Sequence, residues 1–155
     1  MRGIRQATVS DLGELLALLK ALHAESVFSG IAVEHDRLQQ FVTSFIADPK
    51  NICVVYESAA GGLDGILLGF VKPYYFSSEL SAWDLAFYVR PARRGSMVAF
   101  RLWREFKARA TELDARVLWL GSTGTAPHRA RRFYTGLGMV EVGALYRLAL
   151  TSKSD

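Results

Sequence analysis

The sequence has 155 residues, of which 50% are apolar, and it carries a formal net charge of +4. This length fits one domain, so we expect a single domain over residues 1–155, and the apolar content excludes a wholly disordered chain. The sequence has no apolar run long enough to cross a membrane, no secretory signal at its N-terminus, and a single cysteine, which excludes an internal disulfide. We therefore expect a cytoplasmic protein without a membrane partner.

The first third of the chain predicts one strand and two helices. Residues 4–9 (IRQATV) favour a short strand, and Ser10 or Asp11 can cap a helix in which leucines recur at helical spacing. A second helix is predicted from about Asp36, and Pro49 ends it.

The middle of the chain predicts three strands, at residues 52–57, 65–76 and 82–89. Cys53 lies in the first of these apolar runs and is expected to be buried. The first two runs are joined by the turn-rich segment SAAGGLDG, and such short connections between neighbours favour an antiparallel arrangement.

The last third predicts two helices and two strands. A helix follows Gly95, residues 116–121 read as a buried strand, Thr125 can cap the next helix, and residues 139–150 predict the last strand. The predicted order is therefore βααβββαβαβ, which indicates an α/β fold with a mixed, mostly antiparallel sheet.

The join between the third of these strands and the next helix predicts an anion site. A strand that runs straight into a helix leaves unpaired backbone N–H groups at the positive end of the helix dipole, a geometry that binds phosphate. Gly95 permits close backbone approach, while Arg93, Arg94 and Ser96 offer charge and a hydroxyl. The join lacks the Rossmann and Walker patterns, and taken alone it also fits an ordinary turn with a solvated rim.

Two segments in this order resemble the GCN5-related N-acetyltransferase (GNAT) superfamily. The acetyl-CoA loop of this family has the form Arg/Gln-x-x-Gly-x-Gly/Ala and follows a strand that often ends Val-x-Pro. Residues 89–91 (VRP) are similar to the strand end. Residues 94–99 (RGSMVA) are similar to the loop, with Met97 in place of the middle glycine. A helical φ suits methionine, so the loop can keep its shape. Residues 126–139 (APHRARRFYTGLGM) resemble the family's A-x-x-F-Y-x-x-x-G-F segment, with Met139 in place of phenylalanine.

The resemblance implies a sheet that splays between its fourth and fifth strands, with acetyl-CoA bound in the notch. It also implies transfer of the acetyl group to a primary amine of a small molecule or peptide by direct attack, and a homodimer is a family-level expectation. Arg93 is a weaker candidate for a phosphate contact. The residues expected to contact the cofactor are Val89, Arg94, Gly95, Ser96, Met97, Val98, Ala99 and, more weakly, Arg129.

Direct attack needs a proton acceptor for the amine, a donor for the carbonyl oxygen and an acid for the leaving thiolate. The resemblance implies that Tyr134 is the acid and that a backbone N–H within 87–89 is the donor. The alternative for Tyr134 is packing on the apolar face of its helix beside Phe133.

Asp84 is the first candidate for the base, since some relatives carry a carboxylate early in the fourth strand. Strict alternation places Asp84 on one face with Ala86 and Tyr88, and the alternative is a strand-entry carboxylate in solvent. Glu79 and His128 are further candidates; His128 also fits a solvent-facing or phosphate-facing position.

The acceptor site implied by the resemblance comprises residues 23–34, residues 74–81 and the last strand. Carboxylates in the first segment suit a cationic amine, although a polar loop between two helices explains them equally well. We predict no metal, because no histidine–cysteine cluster exists. The three tryptophans fit core positions that need no ligand: Trp83, Trp103 and Trp119.

Two other classes of protein remain open. One is a non-catalytic acyl-CoA-binding protein of the same fold. Met97 in the acetyl-CoA loop and the choice among several candidate bases leave this alternative open. The other is a basic nucleic-acid-binding module, whose support is the arginine cluster at 129–132 without an accompanying aromatic platform.

Overall fold

A computed structural model describes residues 3–150. The chain divides between Thr125 and Ala126 into two units, which are described separately below. No helix in the described range is both long and apolar enough to span a membrane.

The first unit is built on a mixed sheet whose strands lie in chain order. The first four strands pair antiparallel and the fourth and fifth pair parallel, which requires the intervening helix as a crossover. The α/β class and the mixed, mostly antiparallel sheet are therefore confirmed. The strands are β1 (Ile4–Gln6), β2 (Asn51–Glu57), β3 (Leu63–Tyr74), β4 (Ser77–Val89) and β5 (Val117–Trp119).

Four α-helices are assigned among the described residues, three of them in the first unit. The first is preceded by a 3-10 turn, Val9–Asp11, in which the Thr8 N–H donates to the Asp11 carboxylate over 2.8 Å. This turn occupies the residues at which we predicted the helix cap. The helices are α1 (Leu12–Ala24), α2 (His35–Ala47), α3 (Val98–Glu112) and, in the second unit, α4 (Pro127–Gly136).

The sheet of the first unit is buried on both faces. α1 and α2 cover one face, over side chains such as Val55 and Ile66, while α3 covers the other over Val54 and Leu67. Burial on both faces explains why these strands are continuous apolar runs rather than alternating ones. Cys53 is buried as predicted, and burial raises the pKa of its thiol to about 12.

Several predictions of local structure differ from the structure. Residues 116–121 were predicted as a buried strand, whereas β5 is shorter and Val117 is 39% exposed. A 3-10 turn, Pro91–Arg93, separates β4 from α3, so the strand does not run straight into the helix. Residues 139–150 carry no strand assignment, and Val140, Leu145 and Leu148 are each more than 80% exposed. A strand needs a neighbour for its backbone hydrogen bonds, and apolar alternation in the sequence does not supply one.

Candidate functional site

The parallel pairing of β4 and β5 is short, which opens a fork between them. Ladder pairs join 81–83 to 117–119, and β4 then continues to Val89 without a β5 partner. This opening matches the predicted splay between the fourth and fifth strands. This is the opening at which the resemblance implies a bound cofactor.

Asp84 lies at the base of the fork, one residue beyond the last ladder pair. Its Oδ1 accepts a hydrogen bond from the Gly121 N–H over 2.9 Å, so the carboxylate bridges the two strands where the backbone ladder stops. Burial raises the pKa of this carboxyl from 3.8 to about 6, and the hydrogen bond from Gly121 opposes the shift. A carboxylate with such a pKa is ionised at neutral pH and can accept a proton.

The face on which Asp84 lies differs from the prediction. Leu68 pairs with Ala86 whereas its neighbour Gly69 pairs with Asp84, so the strand bulges at Leu85. Consecutive residues of β3 face opposite sides of the sheet, and their partners do the same. Asp84 therefore lies on the α3 face, and the expectation that it shares a face with Ala86 and Tyr88 is wrong.

The segment that joins β4 to α3, residues 90–97, forms a loop with an open backbone surface; we call it the β4–α3 loop. Gly95 has φ +79°, and a Cβ added there would meet no atom within 4 Å. Met97 has φ −74°, so the helical φ expected for it is confirmed, and its side chain is 56% exposed. Within the described residues, the N–H groups of Gly95, Met97 and Ala99 have no hydrogen-bond acceptor.

Ser96 organises this loop from within. Its hydroxyl donates to the Arg93 carbonyl over 2.6 Å and accepts a long, 3.4 Å hydrogen bond from the Val98 N–H. The serine hydroxyl, predicted as a donor to a ligand, thus has a partner inside the loop. The three unpaired amides and the positive end of α3 are what fit an anionic group such as a diphosphate.

The arginines of the loop are engaged by carboxylates. Arg93 forms an ion pair with Asp64 at 3.2 Å. Arg94 donates to the Glu25 carboxylate over 2.6 Å and to the Val89 carbonyl over 3.0 Å. Both side chains, expected from the sequence to contact phosphate, are thus held by contacts within the protein.

Glu25 belongs to segment 23–34, whose carboxylates we expected to suit a cationic amine, and the structure gives it protein partners that the sequence did not reveal. It follows α1 directly, and its carboxylate also accepts from the Tyr88 hydroxyl over 3.0 Å. The backbone around it pairs with the segment after β5: Thr125 N–H donates to the Glu25 carbonyl, and Val27 N–H donates to Thr123. No sequence signal links Glu25 to Arg94, which is 69 residues away.

Val89 directs one peptide N–H toward the fork. The next residue, Arg90, donates its N–H to Asp64 on β3, and neighbouring residues of an antiparallel strand point their peptide groups to opposite sides. The carbonyl of Val89 accordingly receives a bond from the Arg94 side chain on the side away from β3. Of the predicted donors, Val89 is thus oriented toward the opening.

The segments expected to bind the acceptor are largely surface features. His23 Nε2 lies 2.7 Å from the Ile31 carbonyl, so it closes the α1–α2 loop on itself. Tyr75 at the tip of the β3–β4 hairpin is fully exposed. Glu79 belongs to β4 rather than to the preceding loop, and it is exposed.

The three tryptophans are half-buried, not core residues. Trp83 stacks on Trp119 with ring centroids 5.2 Å apart, and their indole N–H groups donate to Ser81 and Tyr74 respectively. The Trp103 indole nitrogen is buried without a partner in the described part of the chain. No group of three potential metal ligands occurs among residues 3–150.

The second unit holds the remaining predicted residues on α4. Tyr134 and Phe133 are half-buried, with ring centroids 5.7 Å apart, on the less exposed face of the helix, which also carries Ala130 and Leu137. His128 and Arg129 are exposed in the first turn. The helix begins at Pro127 after Ala126, so Thr125 does not cap it as predicted.

Comparison with solved structures finds the same fold in several acetyltransferases. An AAC(6')-Iy in complex with a bisubstrate analog containing coenzyme A has a TM-score of 0.79 at 15% identity, over 98% of this chain and 99% of that one. Glucosamine-6-phosphate N-acetyltransferase from Arabidopsis thaliana has a TM-score of 0.77 at 12% identity, over 97% and 99%. A transcriptional regulator from Bacillus halodurans C-125 has a TM-score of 0.77 at 21% identity, over 97% and 100%.

Similarity at these identities establishes the fold, and the family follows from the sequence itself. No curated protein matches the chain. The sequence pattern of the acetyltransferase (GNAT) family matches residues 17–139, which include the fork, the β4–α3 loop and α4. This match covers most of the sequence and agrees with the fold, and the chain therefore belongs to the acetyltransferase (GNAT) family.

Proposed function

We propose that this protein is an N-acetyltransferase that uses acetyl-CoA and acts on a primary amine of a small molecule or peptide. The observation that carries the proposal is the β4–α3 loop at the mouth of the fork. Three amides of the loop and of the first turn of α3 have no acceptor in the described part of the chain, and the space beside Gly95 is open, at the positive end of the helix.

In this proposal the amides of Gly95, Met97 and Ala99 hold the diphosphate of coenzyme A, and Ser96 shapes the loop. Val89, Val98 and Arg129 are further cofactor contacts expected from the resemblance. Bound acetyl-CoA supplies a thioester whose acetyl group an amine can attack.

Two residues of the first unit serve the reacting amine and carbonyl. The Val89 N–H, directed toward the fork, donates to the carbonyl oxygen as charge develops on it. Asp84 accepts the proton of the amine, directly or through water, and its pKa of about 6 suits that task at neutral pH. Tyr134 protonates the leaving thiolate, a role that rests on the sequence pattern around it.

The acceptor class is supported by two fold relatives named above, one in complex with an acetylneamine analog and the other a glucosamine-6-phosphate N-acetyltransferase. Both are amines carried on sugars. We therefore place small, polar primary amines first and peptide termini second.

The test is calorimetric titration with coenzyme A, followed by thiol release from acetyl-CoA in the presence of an amine panel. The panel comprises an aminoglycoside, an amino sugar, a polyamine and a short peptide. We expect saturable coenzyme A binding below about 1 mM and turnover with at least one amine. Absence of binding would contradict the proposal.

Binding without turnover of any amine would instead support the non-catalytic alternative. That alternative has one observation in its favour, the fold similarity to the transcriptional regulator from Bacillus halodurans C-125.

A further inference from the structure

We propose that Glu25 is a positioning residue that fixes the β4–α3 loop through Arg94 and thereby couples the α1–α2 loop to coenzyme A binding. The inference rests on the proposed function, because it concerns how the same loop is kept ready for its ligand.

The first step is the double engagement of one carboxylate. One oxygen of Glu25 accepts from Arg94 Nη2 over 2.6 Å, and the other accepts from the Tyr88 hydroxyl over 3.0 Å. A carboxylate bonded through both oxygens to two different elements has little freedom to rotate. Its position therefore fixes the position of the arginine.

The second step is that both partners are anchored to β4. Tyr88 is only 5% exposed and lies in the core beneath α1 and α2. Arg94 donates through Nε to the Val89 carbonyl, and its guanidinium carbon lies 5.3 Å from the centroid of the Tyr88 ring. The guanidinium is thus held on three sides by the end of β4 and by Glu25.

The third step concerns the neighbour of Arg94. Gly95 follows directly with φ +79° and presents the open amide of the anion site. A displaced Arg94 backbone would redirect that amide, since the two residues share a peptide bond. Arg94 therefore serves ligand binding by holding the loop, through contacts within the protein.

The fourth step links Glu25 to the α1–α2 loop, residues 25–34. Ser26 is 3% exposed and forms an isolated antiparallel bridge with Gly124, while its hydroxyl donates to the His23 carbonyl. The same loop exposes Val27, Phe28 and Ile31, which makes it a surface that an acceptor can contact. A movement of this loop would move Glu25 and, through it, Arg94.

The competing explanation is that Glu25 and Arg94 form an ordinary surface ion pair, which contributes little to stability. The side chains of Arg94 and Glu25 are 37% and 42% exposed, so the ion pair alone does not exclude it. The two explanations differ in what they predict for ligand affinity. A surface pair leaves coenzyme A binding unchanged, whereas a positioning residue does not.

The test is a double-mutant cycle with coenzyme A as the titrant in calorimetry. Glu25→Gln and Arg94→Met are each expected to weaken coenzyme A binding about tenfold. The double variant should bind no more weakly than the weaker-binding single variant, because both substitutions remove the same contact between Glu25 and Arg94. Glu25→Gln keeps the size of the side chain and an acceptor for Tyr88, so it should fold. Asp64→Asn is the matched control: it removes the partner of Arg93 in the same loop and should change affinity less than about twofold.

Steady-state kinetics give a second readout. Glu25→Gln should raise KM for acetyl-CoA and leave kcat within about twofold of wild type, because the loop is restored once ligand is bound. Wild-type affinity in both single variants, or additive losses in the double variant, would overturn the positioning role. Failure of the wild-type protein itself to bind coenzyme A would overturn the proposed function, so the two failures are distinct.

Discussion

The Asp84 carboxylate makes a structural contact between two strands and is also the base in the proposed mechanism. This carboxylate replaces the missing ladder bond between β4 and β5 by accepting from Gly121. Burial of a carboxyl group disfavours its charged form, and the backbone hydrogen bonds from Gly121 and from Asp84 itself do not offset this, so the pKa rises to about 6. An ionised carboxylate with a pKa raised in this way destabilises the folded protein at neutral pH.

The Asp84→Asn variant should therefore be more stable than wild type at pH 7 and inactive. The folded pKa of Asp84, about 6, lies above the ordinary value of 3.8, so the folded state binds the proton more tightly and wild-type stability falls as pH rises between these values. The full difference between the folded and the ordinary pKa lowers the free energy of unfolding of wild type by about 3 kcal/mol above pH 6. Urea denaturation at several pH values measures it.

The same pH series contains its own control. At pH 4 the wild-type carboxyl is mostly protonated in the folded state, so the stability advantage of Asp84→Asn should largely disappear. In wild type, kcat/KM should rise with pH through about 6 if Asp84 is the base. An asparagine variant with wild-type turnover would remove Asp84 from the mechanism.

Tyr134→Phe should lower turnover about 100-fold and leave coenzyme A affinity within about twofold, because only the hydroxyl that we propose protonates the thiolate is lost. Tyr146→Phe is the control, since Tyr146 is 96% exposed in the same unit. Stopped-flow thiol release and calorimetry separate the two effects. Turnover unchanged in Tyr134→Phe would assign that side chain to packing beside Phe133.

At the level of elements, local signals in the sequence predicted the helices, the first five strands and the loop before α3. Helical spacing, turn residues and the glycine of the loop are local features, and the structure keeps them. Three features depend on distant partners: the bulge at Leu85 depends on β3, the contacts of Glu25 depend on Arg94, and the last predicted strand depends on a neighbour. The local sequence of the segment that shows each feature therefore does not predict it.

The β4–α3 loop gives the prediction at Gly95. Gly95→Glu should weaken coenzyme A binding at least about 100-fold, because its carboxylate enters the space faced by the unpaired amides and repels the diphosphate. Gly95→Gln is the matched control, with the same size and the same strain at φ +79° but no charge. It should lose clearly less affinity. Calorimetry showing wild-type affinity for Gly95→Glu would count against this loop as the binding site.

The bulged pairing of β3 with β4 gives a prediction at Gly69. A Cβ there would overlap the Trp83 carbonyl oxygen and the Phe106 ring of α3, so this glycine permits the close approach of strand and helix. Gly69→Ala should lower the free energy of unfolding by at least about 3 kcal/mol. Gly30→Ala, where nothing lies within 4 Å, should change it by less than about 0.5 kcal/mol. Equal midpoints in urea for the two variants would contradict the packing argument.

For the whole molecule, the arginine-rich stretch 90–104 carries less unpaired positive charge than its sequence suggests. Within the arginine-rich stretch 90–104, Arg90, Arg93 and Arg94 each face a carboxylate of another segment. In the second unit, Arg131 pairs with Glu141 at 2.7 Å. The positive character at the β4–α3 loop therefore comes mainly from backbone amides, which suits a compact diphosphate better than an extended polyanion.

Ligand-induced stabilisation distinguishes these two partners on the intact protein. Coenzyme A at 100 times its Kd should stabilise the folded state by about 2.7 kcal/mol. For a chain of 155 residues this raises Tm by about 5–10 °C. A single-stranded oligonucleotide at the same concentration should leave Tm unchanged, and so should coenzyme A added to Gly95→Glu. A larger shift with the oligonucleotide that falls steeply with salt would favour a nucleic-acid-binding module, because counterion release dominates that kind of binding.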